Sequence, residues 1–134
     1  MNDKRFFDTN VIQYAFRQDD RRGEVAETLL ASGGAISVQV LNEFVAVARR
    51  KFGKSWKEVH LALDILRVFC PEPEPLTVET LERAVGVAER YRYTIFDSLI
   101  IAAALQVGAK VLYSEDMQDG QTIDGLTICN PFSG

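Results

Sequence analysis

At 134 residues, 47% of them apolar and 25% charged, the chain is sized for one soluble globular domain, residues 1–134, that buries its own core. A net charge of −4 argues against a protein that binds nucleic acid over its whole surface, and leaves a local basic patch open. The longest apolar run, residues 99–105, is far too short to span a bilayer, and the opening lacks the apolar stretch and cleavage site of a secretory signal, so a non-membrane, cytoplasmic protein is expected.

Residues 4–7 are short and aromatic and run into Asp8-Thr9-Asn10, which suits a buried strand ending in a turn or helix cap. Helical sequence follows, with Val25, Ala26, Leu29 and Leu30 on one side before Gly33-Gly34 stops it. Residues 35–37 suit a short strand. Over residues 38–52, Val38, Leu41, Phe44, Val45, Ala48 and Phe52 recur at helical spacing and Gly53 ends the pattern. Residues 56–69 repeat it with Val59, Leu63, Leu66 and Phe69, after which Pro71-Glu72-Pro73-Glu74-Pro75 forces an extended, rigid connection. Thr77 can cap a helix carrying Val78, Leu81, Val85 and Ala88, and residues 96–106, apolar nearly all round, predict a helix buried on most sides. Residues 110–113 and 126–129 are β-like. Short strands alternating with amphipathic helices predict an α/β domain with a mainly parallel sheet.

Four carboxylates, Asp8, Glu43, Asp97 and Asp116, stand beside four separate apolar segments with no histidine or cysteine among them. If the fold gathers them, like charges need neutralising, and an oxygen-only set suits a hard cation, Mg²⁺ or Mn²⁺. Taken singly, each has a plain alternative: Asp8 as a turn or cap, Asp97 as a cap before Ser98, Glu43 as a solvated residue beside Val47, Asp116 as part of an acidic surface turn with Glu115 and Asp119. Arg49-Arg50-Lys51 is the densest basic run, and Arg50 lies two turns beyond Glu43, so it could face the same cleft. The lone His60 shares a helix face with Lys57, Asp64 and Arg67 and reads as solvated. Cys70 and Cys129 lack metal-pair spacing and read as buried thiols. No Gly-rich phosphate loop occurs.

Phe7-Asp8-Thr9-Asn10-Val11, Leu41-Asn42-Glu43-Phe44, Ile95-Phe96-Asp97-Ser98-Leu99-Ile100 and Leu112-Tyr113-Ser114-Glu115-Asp116, in that order, resemble the PIN domain, and more narrowly a VapC-type toxin ribonuclease. The resemblance extends over essentially the whole chain. It implies a three-layer α/β/α fold and a metal-dependent endoribonuclease in which Asp8, Glu43, Asp97 and Asp116 are the catalytic acids and hold one or two Mg²⁺ or Mn²⁺ ions. Thr9, Asn10 and Ser114 would support those acids, and Asp119 competes with Asp116 for the fourth role. Arg49, Arg50 and Lys51 would guide the RNA, and the expected partners are an RNA substrate, a protein antitoxin and a second copy of the chain in a homodimer. A haloacid-dehalogenase-like phosphatase with Asp8 as nucleophile is the alternative enzyme, although it wants a second Asp where this chain has Asn10. A PIN-like binding module that no longer catalyses is the non-enzyme alternative.

Overall fold

In the computed structural model, which describes residues 4–17 and 21–133, the short apolar runs pair into a four-stranded sheet of order β1-β2-β4-β3. β1 (Arg5–Phe7), β2 (Val111–Tyr113) and β4 (Leu126–Cys129) are parallel, and β3 (Thr122–Ile123) joins β4 as an antiparallel edge. Phe6, Leu112 and Ile128 stand side by side in this register with no exposed surface, which is why these strands read as apolar runs rather than alternating ones. Six helices flank the sheet in a three-layer α/β/α arrangement: α1 (Thr9–Ala15), α2 (Arg21–Ala31), α3 (Val38–Arg50), α4 (Trp56–Phe69), α5 (Val78–Tyr91) and α6 (Ile95–Gln106). α6 is buried over its whole middle, from Ser98 to Ala104, as its all-round apolar sequence requires.

Local chemistry fixes the helix starts. Ser55 and Glu58 form a reciprocal capping box on α4, Thr77 and Thr80 form one on α5, and Ser37 caps α3 through Val40 N–H. The structure departs from expectation at four places. Residues 35–37 form single bridges rather than a strand, Ala35 with Phe6 and Ser37 with Glu74. The Pro/Glu connection is accordingly drawn onto the sheet edge, with Val38 N–H donating to Glu74 O and Glu74 N–H to Ile36 O. α3 ends at Arg50, before Phe52, because Gly53 takes a left-handed φ of 61°. The unexpected β3 is the first arm of a hairpin closed by Asp124-Gly125, both with positive φ (48° and 88°), the combination a tight two-residue turn demands.

A candidate active site at the carboxyl edge of the sheet

Where β1 ends, the chain turns into α1, and Asp8 sits at that junction as the N-cap. Its backbone is tied to the neighbouring strand, Asp8 N–H donating to Tyr113 O at 3.0 Å. Its side chain is buried, 3% exposed, and held from three sides: Oδ1 accepts Thr9 N–H at 2.7 Å, while Oδ2 accepts Ser114 Oγ at 2.7 Å and Asn10 Nδ2 at 3.2 Å. Cap and site are therefore the same residue. Ser114 stands at the end of β2, the adjacent parallel strand, so the sheet register itself aligns hydroxyl with carboxylate.

The other three acids converge on this point from different elements. Thr9 Oγ1 donates to Glu43 Oε1 at 3.0 Å, and Gln39, one turn earlier on α3, donates to Glu43 Oε2 at 3.0 Å. Asn10 Nδ2, shared with Asp8, also reaches Asp116 Oδ2 at 3.2 Å, and Asn10 Oδ1 accepts Glu115 N–H at 3.1 Å, clamping the loop after β2 to α1. Asp97 lies in the first turn of α6 and is not its cap. Thr94 is, accepting Asp97 N–H at 3.1 Å, and this leaves the Asp97 carboxylate to face the cluster. Asp119 is elsewhere: its Oδ1 accepts Asn130 N–H at 2.8 Å and braces the C-terminal segment.

The electrostatics record the crowding. Burial pushes the Asp8 carboxyl up to about 7 from an ordinary 3.8, and the charges of Asp97 and Glu43 push the same way against the lowering effect of the Ser114 and Thr9 hydrogen bonds. Asp97 is also raised, by partial burial first and then by the charges of Glu43 and Asp116. Near the site Arg22 pairs with Glu115 at 2.9 Å, which is none of the four acids. The set is rich in oxygen donors, and its carboxylates raise one another's pKa, which fits a hard divalent cation. As they stand, no three Asp, Glu, His or Cys side chains among the described residues are grouped closely enough to hold a metal ion. Neutral donors, Ser114, Asn10, Thr9 and Gln39, hold the carboxylates instead.

The basic run divides three ways. Arg49 lies over the Trp56 ring at 4.1 Å and donates to Lys54 O, and Arg50 is exposed outside the cleft lining. Lys51 is the member that lines the cleft with Glu43 and Asp116. Sequence reasoning singled out Arg50 because, seven residues from Glu43, it keeps to within about 20° of the same helix face; Lys51, about 80° round and just past the end of α3, is exposed yet lines the cleft. Gln39 was missed, although its place four residues before Glu43 on a helix is a readable signal. Tyr14, whose hydroxyl donates to Glu115 at 2.7 Å, and Arg17 and Phe52 in the cleft lining were missed as site residues because nothing local marks them. His60 is exposed, and both cysteines are free thiols, Cys70 buried as expected but Cys129, at the end of β4, only partly so. Among the described residues, no helix is long and apolar enough to cross a membrane.

Comparison with known proteins bears on the fold. The chain shares its fold with the Mycobacterium tuberculosis toxin VapC20, described as cleaving the sarcin-ricin loop (24% identity, 84% of this chain and 89% of that one, TM-score 0.69). It is similar in the same way to a toxin–antitoxin complex from Klebsiella pneumoniae (24%, 95% and 97%, TM-score 0.71). A third likeness is to VapBC2 from Rickettsia felis, bound to a DNA fragment from its promoter (20%, 92% and 96%, TM-score 0.66). Curated protein sequences give no match. The PIN domain family model matches residues 5–118, nearly the entire span from β1 to the loop that carries Asp116, and the chain therefore belongs to the PIN domain family.

Proposed function

We propose that this protein is a divalent-metal-dependent endoribonuclease acting as the toxin of a toxin–antitoxin pair. The observation that carries the reading is the gathering of Asp8, Glu43, Asp97 and Asp116 at the carboxyl edge of the sheet, with Asp8 raised to about 7 by burial and by the charges of Asp97 and Glu43. PIN domains are a nuclease family whose members generally use divalent ions. Asp8 and Asp97 would hold Mg²⁺ or Mn²⁺, with Glu43 and Asp116 binding directly or through water. When bound, the ion supplies Lewis-acid stabilisation of phosphoryl charge and a more acidic water. Thr9, Asn10, Gln39 and Ser114 fix the carboxylates in place, so little reorganisation is left for the reaction itself. Arg49, Arg50 and Lys51 would carry the RNA backbone toward these acids, Lys51 nearest.

Two surfaces suit protein partners. An apolar groove of ≈340 Å³ between α1, α3 and α4 lies beside the acidic cleft and would take the antitoxin, a component of the similar complexes. Val78, Leu81 and Val85 form an exposed stripe on α5 that would pair with a second copy across a two-fold axis. A cytoplasmic site of action follows from an RNA target.

The deciding experiment incubates purified protein with structured and mRNA-like RNAs in Mg²⁺, Mn²⁺ or chelator. Cleavage is expected with metal only, and Asp8→Asn and Asp97→Asn should each lower it by at least a hundredfold while keeping the fold. Cleavage that persists in chelator, or in either variant, would remove that feature from the mechanism.

A further inference from the structure

Asp97 and Asp116 reach the acidic cluster from separate stretches of chain, Asp97 in the first turn of α6 and Asp116 in the link between β2 and β3. Their charges repel, and that of Asp116 is among the causes that raise the Asp97 carboxyl, after burial and the charge of Glu43. A tyrosine ties the two stretches together. Tyr93 stands just before Thr94, the cap of α6, and its hydroxyl accepts Gln118 N–H at 3.0 Å and donates to Gln121 Oε1 at 2.5 Å. Its ring is half-buried against the main core, which gives the hydroxyl a fixed base. Arg92 supplies the turn that leads into it: as the C-cap of α5 it takes a left-handed φ of 63°, a conformation that residues with a Cβ rarely adopt.

The tie falls close to Asp116. Gln118 is two residues beyond it, no more than about 7 Å of extended chain. On the near side of the link, Ser114 Oγ accepts Asp116 N–H and Met117 N–H, each at 3.2 Å, and Asn10 Oδ1 accepts Glu115 N–H at 3.1 Å. Those bonds fix the segment to β2 and α1, beside Asp8, whereas the Tyr93 bonds fix it to the stretch that carries Asp97. Past Gln118, the next backbone bond to the sheet among the described residues is Gly120 N–H to Ile128 O at 2.8 Å, four residues from Asp116. Without the hydroxyl, repulsion between the two carboxylates can widen the gap between them, and a cation joining them must work against that widening. We infer that Tyr93 is a positioning residue whose hydroxyl holds the Asp116 segment to the start of α6, so that Asp97 and Asp116 can share a divalent cation. The inference rests on the ribonuclease reading for what that cation is used for.

The test is calorimetric titration of the protein with Mn²⁺ in the absence of RNA, alongside cleavage as Mn²⁺ is raised. Tyr93→Phe keeps the ring and removes both bonds. It should weaken Mn²⁺ binding about three- to tenfold, the range for a net hydrogen bond or two, and move the Mn²⁺ midpoint of cleavage by the same factor. The rate at saturating Mn²⁺ should stay within about twofold of wild type. Gln121→Leu, which removes one bond and leaves the other, should shift both readings less and in the same direction, and it decides the matter if Tyr93→Phe fails to fold. Ser55→Ala, which removes the cap of α4, should lower the melting temperature and leave the Mn²⁺ affinity as in wild type. Wild-type Mn²⁺ affinity in Tyr93→Phe, an equal shift in Ser55→Ala, or a loss of rate that saturating Mn²⁺ does not restore would each overturn the positioning role. Metal-dependent cleavage by a protein whose Mn²⁺ affinity ignores Tyr93 sinks the positioning role alone. Mn²⁺ binding that depends on Tyr93 in a protein that cleaves no RNA sinks the ribonuclease reading and leaves the positioning role standing.

Discussion

Asp8 is the residue on which structure and chemistry pull hardest against each other. Its raised pKa has a stability consequence whose sign is opposite to that of an ordinary ion-paired aspartate. Below about pH 4 the carboxyl is protonated in folded and unfolded chain alike. Between about pH 4 and 7 the unfolded chain has lost the proton and the folded one keeps it, so stability falls as pH rises through this window, and above about 7 the full penalty of a buried charge is present. A pKa moved from 3.8 to about 7 corresponds to on the order of 4 kcal/mol. Asparagine has the same shape, can still accept Thr9 N–H, and carries no charge to bury. In metal-free buffer at pH 8, Asp8→Asn should therefore melt several degrees above wild type, and its melting temperature should lose most of the decline that wild type shows from pH 5 to 8. Added Mg²⁺ should close the gap by raising the wild type alone. A calorimetric series showing parallel pH profiles for the two proteins would mean that the Asp8 carboxylate is neutralised in some other way.

At the scale of elements, the periodic segments were legible and the short ones were not. The limits of α4 and β4 coincide with the apolar pattern because each is bounded by unambiguous chemistry, a Ser55 cap and the Pro71 break for one, Gly125 and Pro131 for the other. β3 has two residues and no pattern to read, and residues 35–37 are too few to hold more than single bridges. The acids stood out in the sequence because each lies beside or within an apolar segment, and Gln39 could have been read from its spacing to Glu43, while Thr94 as the cap of α6 and Arg17 at the cleft rim depend on three-dimensional placement. Gly34 shows how tightly one such element junction is made. A Cβ there would lie 2.5 Å from Phe7 Cε2 and 2.8 Å from Phe7 Cζ, and Phe7 is fully buried with its ring against Tyr113. Gly34→Ala should cost about 1–3 kcal/mol by forcing that ring aside. Because Phe7 directly precedes Asp8, the variant should also lose metal affinity as well as melting temperature. Denaturant titration giving an unchanged midpoint would show that the bridge between Ala35 and Phe6 yields without strain.

For the whole molecule, the decisive feature is that the apolar groove and the acidic cavity meet. Gln13 and Phe52 line both, so a chain segment seated on Phe16, Phe44, Leu61 and Ile65 ends beside the carboxylates. An arginine on that segment would find carboxylates gathered together, a bidentate match in geometry and sign. This gives one surface for affinity and one for inhibition, and the two should separate experimentally. Leu61 is 61% exposed and Ile65 is 39% exposed, so Leu61→Asp/Ile65→Asp should fold and cleave RNA as wild type does. Against an antitoxin encoded beside the gene, the double variant should lose more than a hundredfold in affinity, since each large apolar side chain buried contributes about 1.5–3 kcal/mol. Excess Mg²⁺ should restore cleavage to the wild-type complex without dissociating it, because the ion competes with the basic side chain and not with the apolar contacts. Coexpression, affinity capture and a cleavage assay read all three outcomes. A double variant captured and silenced as fully as wild type would place the antitoxin on another face, and a neighbouring gene product that binds neither protein would turn the reading toward a free-standing RNA-processing nuclease.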